Sequence, residues 1–84
     1  MTWTRESVKG EVLRLLGQHI QEGVAISDSS HLVGDLGIDS LSMMQIVGEM
    51  ETELGVMIPD EDLVELVTVG DLVGKVAARM EDAA

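Results

Sequence analysis

The residue types that could do chemistry cluster in one run, Asp35-Leu36-Gly37-Ile38-Asp39-Ser40-Leu41. Ser40 offers a hydroxyl, but a serine nucleophile needs a base within reach, and no His or Lys lies near it in the sequence. Asp39, its immediate neighbour, is badly placed to take the proton and too acidic to be an effective base. Metal chemistry fits no better. His19 and His31 stand twelve residues apart with no Cys in the chain, so both are expected in loops or at the surface. A calcium loop opening at Asp28, with Ser30 and Asp39 as further oxygens, fails: Leu32 stands where an oxygen ligand is required, Val33 where Gly is required, and no Glu closes the loop. Anion chemistry remains. If a helix starts at Ser40, its unpaired N–H groups and the positive end of its dipole favour a phosphate on that hydroxyl by about 0.3 to 1 kcal/mol.

A helix does start there on periodicity. Gly37 permits a tight turn, and Asp39 or Ser40 can cap the first free N–H groups. Stepping 100° per residue from Leu41 gathers Met43, Ile46, Val47, Met50 and Leu54 on one arc, the buried face of a helix from about Ser40 to Leu54 that Gly55 ends. Leu41 falls nearly opposite this arc and Met44 at its edge, so large apolar side chains beside Ser40 face water, where a partner can dock. An earlier helix, capped by Thr4, carries Val8, Val12, Leu15 and Leu16 on one face and runs to about Gln18, with Gly17 as a terminator.

Residues 20–39 make a long connection, which Val24, Ile26, Leu32, Val33, Leu36 and Ile38 are expected to pack across the bundle, with one short helical turn inside it. After Ile58-Pro59 the acidic start Asp60-Glu61-Asp62 leads a short helix through Leu63, Val64 and Leu66. Thr68 and Asp71 form a capping box for the last helix, whose inner face is Val69, Leu72, Val73, Val76 and Met80, with Lys75 and Arg79 suiting the dipole of its last turns. The fold class is therefore all-α: a small bundle of three main helices plus one short helix, with a long packed loop between the first and second. Residues 1–3 and 81–84 are expected to fray, with Trp3 lying over the end of the bundle.

A chain of 84 residues is expected to make a single domain, residues 1–84. Trp3 is its lone aromatic, so the core is aliphatic with Met as filler, and such a core is deformable. Without cysteine there is neither a disulfide nor a side-chain thiol. No apolar run approaches the roughly 20 residues of a membrane span, and the start lacks a basic region followed by an apolar stretch, which points to the cytoplasm and to no membrane partner. The net charge is −11, and between Arg14 and Lys75 there are twelve Asp and Glu but no Lys or Arg. Such a field repels nucleic acid and steers partners that carry basic patches.

The run Asp35 to Leu41 resembles the Asp-Leu-Gly-x-Asp-Ser-Leu signature of acyl carrier proteins, and the likeness extends from about Arg5 to about Met80, through Ile58-Pro59-Asp60-Glu61 and Thr68-Val69. The resemblance implies a non-catalytic carrier, monomeric, on which a phosphopantetheinyl transferase places 4′-phosphopantetheine from coenzyme A at Ser40. It implies that the arm's thiol carries acyl groups as thioesters between an acyltransferase or ligase, a ketosynthase and other biosynthetic enzymes with basic docking patches. By position, Leu41 and Met44 form the apolar part of the docking face, and Asp39, Glu51, Asp60 and Glu61 the acidic part. Ser42 and Gln45 stand at positions often acidic in the fatty-acid branch, so a polyketide or hybrid pathway is favoured at least as much. A peptidyl or aminoacyl carrier ranks second, because that branch commonly shows Gly-Gly-x-Ser where this chain has Gly37-Ile38-Asp39-Ser40. A non-covalent acidic adaptor is the remaining alternative. The missing aromatics suggest a core that opens to shelter an acyl chain.

Overall fold

The computed structural model describes residues 3–83, and side chains as far as Glu81. Its first helix, α1 (Arg5–Gly17), begins where Thr4 leaves the extended region. There the Ser7 N–H donates to Thr4 Oγ1 at 3.1 Å and the Thr4 N–H donates to Ser7 Oγ at 2.8 Å, satisfying two N–H groups reciprocally. The helix closes by tightening: the N–H groups of Gln18 and His19 donate to Leu15 and Leu16 carbonyls at 3.2 and 2.9 Å. Gly17 is the last helical residue, as expected of a terminator, and Gln18 after it stays right-handed at φ −73°. Left-handed glycine is used instead at Gly55 (φ 66°), which ends α2 (Ser40–Leu54), and at Gly37 (φ 69°), just ahead of it.

Pro59 then leads into α3 (Asp60–Leu63), and α4 (Val69–Ala83) follows. Helix α3 is shorter than the run through Leu66 that the sequence suggests. The Glu65 and Leu66 N–H groups reach back only three residues, to Asp62 and Leu63, so the chain leaves helical geometry and Val64 is 85% exposed. At α4 the expected reciprocal cap forms: Asp71 N–H donates to Thr68 Oγ1 at 3.1 Å, and Thr68 N–H to Asp71 Oδ2 at 3.0 Å. Helix α4 continues to Ala83, past the Glu81 at which fraying was expected. The fraying expected of Met1, Thr2 and Ala84 falls outside the described residues. Trp3 is 36% exposed.

The architecture is all-α, with α1 packed against both α2 and α4. Val12, Leu16, Ile46, Met50, Leu72 and Val76 meet in the centre, each fully buried. Burying each of these larger side chains contributes about 1.5 to 3 kcal/mol, which is what holds helices too short to persist alone. The long loop is packed, though by fewer anchors than expected. Leu32, Leu36 and Ile38 are buried, while Val24 is 40% and Val33 70% exposed. The cause is the single helical turn there, in which Asp35 N–H donates to the His31 carbonyl and Gly37 N–H to the Val33 carbonyl, both at 3.0 Å. Four-residue spacing turns Leu32 and Leu36 inward together and leaves Val33 outside.

This loop is also clipped to the chain ahead of α4. Leu32 N–H donates to the Val67 carbonyl, Val69 N–H to the Ser30 carbonyl and Gly70 N–H to the Asp28 carbonyl, at 2.9 to 3.0 Å, around an isolated antiparallel bridge between His31 and Thr68. Gly70 eases this approach, since a Cβ there would stand 3.1 Å from the Asp28 carbonyl oxygen, tighter than an ordinary contact. Among the described residues no helix is long and apolar enough to cross a membrane.

Candidate functional site

Ser40 is the first residue of α2 and is exposed. Each neighbour in its motif has a share in holding it there. Leu36 and Ile38 are buried and pin the approach, and Gly37 between them takes the left-handed conformation that turns the chain. Asp35 Oδ2 accepts the His31 N–H at 2.8 Å, closing the turn that precedes the helix. Asp39 caps α2: its Oδ1 accepts the Ser42 N–H at 2.8 Å, and its backbone carbonyl accepts the Met43 N–H at 2.9 Å. The Ser42 N–H, with smaller help from the Ser42 hydroxyl and the N–H groups of Leu41 and Asp39, holds the Asp39 carboxyl below its ordinary range. Asp39 is therefore a committed capping anion and a poor base.

Beside Ser40 lies a cleft of about 330 Å³. The loop contributes Leu32, Val33 and Ile38 to it, α2 contributes Ser40, Met43 and Met44, and the segment around α3 contributes Leu63, Val64 and Leu66. Apart from Asp39 and Ser40 its walls are apolar. A larger groove of about 740 Å³ between α1 and α2 is bordered mainly by polar side chains, among them Arg14, Gln18, Gln45 and Glu49, and shares no lining residue with the cleft at Ser40.

The residues expected to meet partners divide into two groups. Leu41 and Met44 are 66% and 64% exposed on α2 beside Ser40, and Asp60 and Glu61 are exposed on α3. Met43, expected on the buried arc, is half-buried because it lines the cleft. Glu51 is half-buried and already engaged, its Oε2 accepting the Ile58 N–H at 2.9 Å. It supports the turn that carries α3.

Two pairings were not visible in the sequence. Asp62, third in the acidic run, turns inward to 6% exposure and meets Arg79. The Arg79 guanidinium is the main reason the Asp62 carboxyl lies below its ordinary range, with Lys75 adding to it. The spacing of 17 residues between Asp62 and Arg79 gives no local signal. His19, expected in a loop or at the surface, sits in the turn after α1 with a side chain only 18% exposed, its Nε2 3.0 Å from Glu49 Oε1. Among the described residues no group of three or more His, Asp or Glu could hold a metal ion.

Ser40 is thus an exposed serine opening a helix, with a capping anion beside it and an apolar cleft at its side. Comparison with known proteins identifies the family. The model of the phosphopantetheine attachment site family matches residues 6–76. The acyl carrier protein of Rhodococcus erythropolis is 46% identical over 68 residues, covering 75% of each chain. The meromycolate extension acyl carrier protein of Mycolicibacterium smegmatis is 42% identical over 77 residues, covering 86% of this chain and 78% of that one. Among solved structures, the acyl carrier protein of Enterococcus faecalis superposes with a TM-score of 0.76 at 35% identity, covering 92% of this chain and 99% of that one. The chain belongs to the phosphopantetheine-attachment family and is an acyl carrier protein, a carrier and not an enzyme.

Proposed function

We propose that Ser40 is the residue that takes 4′-phosphopantetheine, and that the loaded chain carries fatty-acyl groups between the enzymes of a chain-elongating pathway. The observation that supports this most directly is the position of Ser40: exposed, first in α2, and on the rim of an apolar cleft. The first N–H groups of α2 have no carbonyl within the helix to bond, so that end tolerates a phosphodiester. The group, when bound, supplies the thiol that this cysteine-free chain lacks, and with it the thioester linkage to the acyl cargo. Val33, Met43, Met44 and Leu66 offer an apolar surface on which an alkyl chain can lie. Leu41 and Met44, with Asp39, Asp60 and Glu61 around them, present a face suited to enzymes with basic surfaces, the transferase first among them.

The likeness to a meromycolate extension carrier favours long fatty-acyl cargo. A second reading, polyketide or hybrid cargo, is favoured by the uncharged Ser42 and Gln45 on the outer side of α2. The proposal is tested by intact mass after incubation with coenzyme A, magnesium and a broad-specificity phosphopantetheinyl transferase. One phosphopantetheine is expected on the parent and none on Ser40→Ala. A folded parent that gains nothing from several transferases overturns the proposal in favour of an acidic adaptor.

A further inference from the structure

Residues 58–67 form one wall of the cleft and also bear Asp60, Glu61 and Val64, which point to solvent. This segment holds only four helical residues, and its apolar anchors at the cleft, Leu63 and Leu66, are half-buried. So short a helix has no stability of its own. Polar side chains add to the hold of the buried Ile58 and of the Leu32 N–H on the Val67 carbonyl. Glu51 grips its start at the Ile58 N–H, and Asp71 grips its end by accepting the Val67 N–H at 3.1 Å. In the middle, Arg79 Nε and one terminal nitrogen donate to the two oxygens of Asp62 at 2.7 and 3.0 Å, a forked pair of the kind that fixes orientation as well as distance. Lys75 adds a looser tie, 3.4 Å from Glu65 and 4.0 Å from Asp62.

Of three successive acids, then, two face outward and the third is spent inward. We infer that Asp62 and Arg79 are positioning residues: their pair sets where Asp60, Glu61 and Val64 stand relative to Ser40, and so governs how well a partner enzyme finds the serine. Removing Arg79 leaves the buried Asp62 carboxylate with only the looser Lys75 contact, and removing Asp62 takes away the segment's forked tie to α4; in either case the segment relieves the loss by swinging away from α4. The local motion leaves α1 and α2 in place, because no core side chain of those helices depends on the pair. The consequence for docking rests on the carrier role proposed above, whereas the clamp itself can be read on the unmodified chain.

The test is amide hydrogen exchange on the full unmodified chain, followed by transferase kinetics with coenzyme A. In Arg79→Gln and in Asp62→Asn, the Glu65 and Leu66 amides are expected to exchange about tenfold faster, with Ile46 and Met50 changed less than about twofold. Arg79→Lys is expected to recover part of the protection. The KM of the transferase for Arg79→Gln is expected to rise about fivefold at unchanged kcat, the signature of a weakened docking interaction. Where a single variant is too unstable to measure, Asp62→Asn combined with Arg79→Gln leaves no unpaired buried charge and still removes the ionic clamp. Equal acceleration at all four amides, no acceleration at any, or accelerated exchange with an unchanged KM each overturn the inference. Should no transferase modify the parent, the carrier reading fails and the docking role with it, while the exchange rates still decide the clamp.

Discussion

Glu51 offers a direct contest between two roles, contact with partners and support of a turn. The structure spends its Oε2 on the half-buried Ile58 N–H at 2.9 Å, so Glu51→Ala leaves that donor without its acceptor. An unmade hydrogen bond of this kind costs about 1 to 3 kcal/mol, and Ala regains only a few tenths of a kcal/mol in helix propensity, leaving a net loss of about 1.5 kcal/mol. With roughly 2.1 cal/mol/K of unfolding entropy per residue, 84 residues give about 0.18 kcal/mol per kelvin, and the midpoint falls by about 8 °C. Glu51→Gln keeps an acceptor oxygen at the same place and is expected to lose less than half of that. The assay is thermal unfolding followed by far-ultraviolet circular dichroism on the unmodified protein. An Ala variant with an unchanged midpoint and a raised KM for a docking enzyme refutes the reasoning, because Glu51 would then act on partners directly.

The other predictions concern pH and backbone. Asp39, Asp62 and Asp71 are all held below the ordinary aspartate value of 3.8, by the Ser42 N–H, by Arg79 and by the Thr68 N–H respectively. Groups depressed on folding contribute stability that is full above 3.8 and lost as pH falls through their lower folded values. Denaturant midpoints are therefore expected to show no loss from these three at mildly acidic pH and a steep loss below, with the acid limb shallower in Asp62→Asn. Gly10→Ala, in the middle of α1 with open space around the new Cβ, is expected to gain about 1 kcal/mol, read as a higher melting midpoint. Gly70→Ala is expected to lower it, since the added carbon presses on the Asp28 carbonyl and loosens the loop from α4.

Much of this was legible in the sequence because it is local. Thr4 and Thr68 announce their helices through residues three positions on, and the wheel drawn from Leu41 places Ile46, Met50 and Leu54 inside and Leu41 outside without knowledge of neighbours. The failures share a physical origin. Val33 was expected inside because it is apolar, but the turn at His31–Gly37 decides which of two adjacent apolar residues faces the core. Asp62 and Glu51 look like surface acids until the helices pack, because their partners, Arg79 and the Ile58 N–H, become neighbours only through the tertiary fold. The cleft beside Ser40 was hidden for the same reason, drawing its walls from three separate stretches.

The clip between the long loop and the chain ahead of α4 bears on the order in which this protein becomes competent. Its hydrogen bonds join Asp28, Ser30 and Leu32 to Gly70, Val69 and Val67, enclosing all of α2 and α3 between their ends. Contacts of such sequence separation form late, after the intervening helices have paid the entropy of closing the loop. A chain still emerging from the ribosome already displays Ser40 when the residues that brace its approach have yet to be made. The bracing of the loop that leads to Ser40 thus depends on the C-terminal third of the polypeptide, and a product shortened before Val67 would keep the whole motif while losing the platform on which it stands.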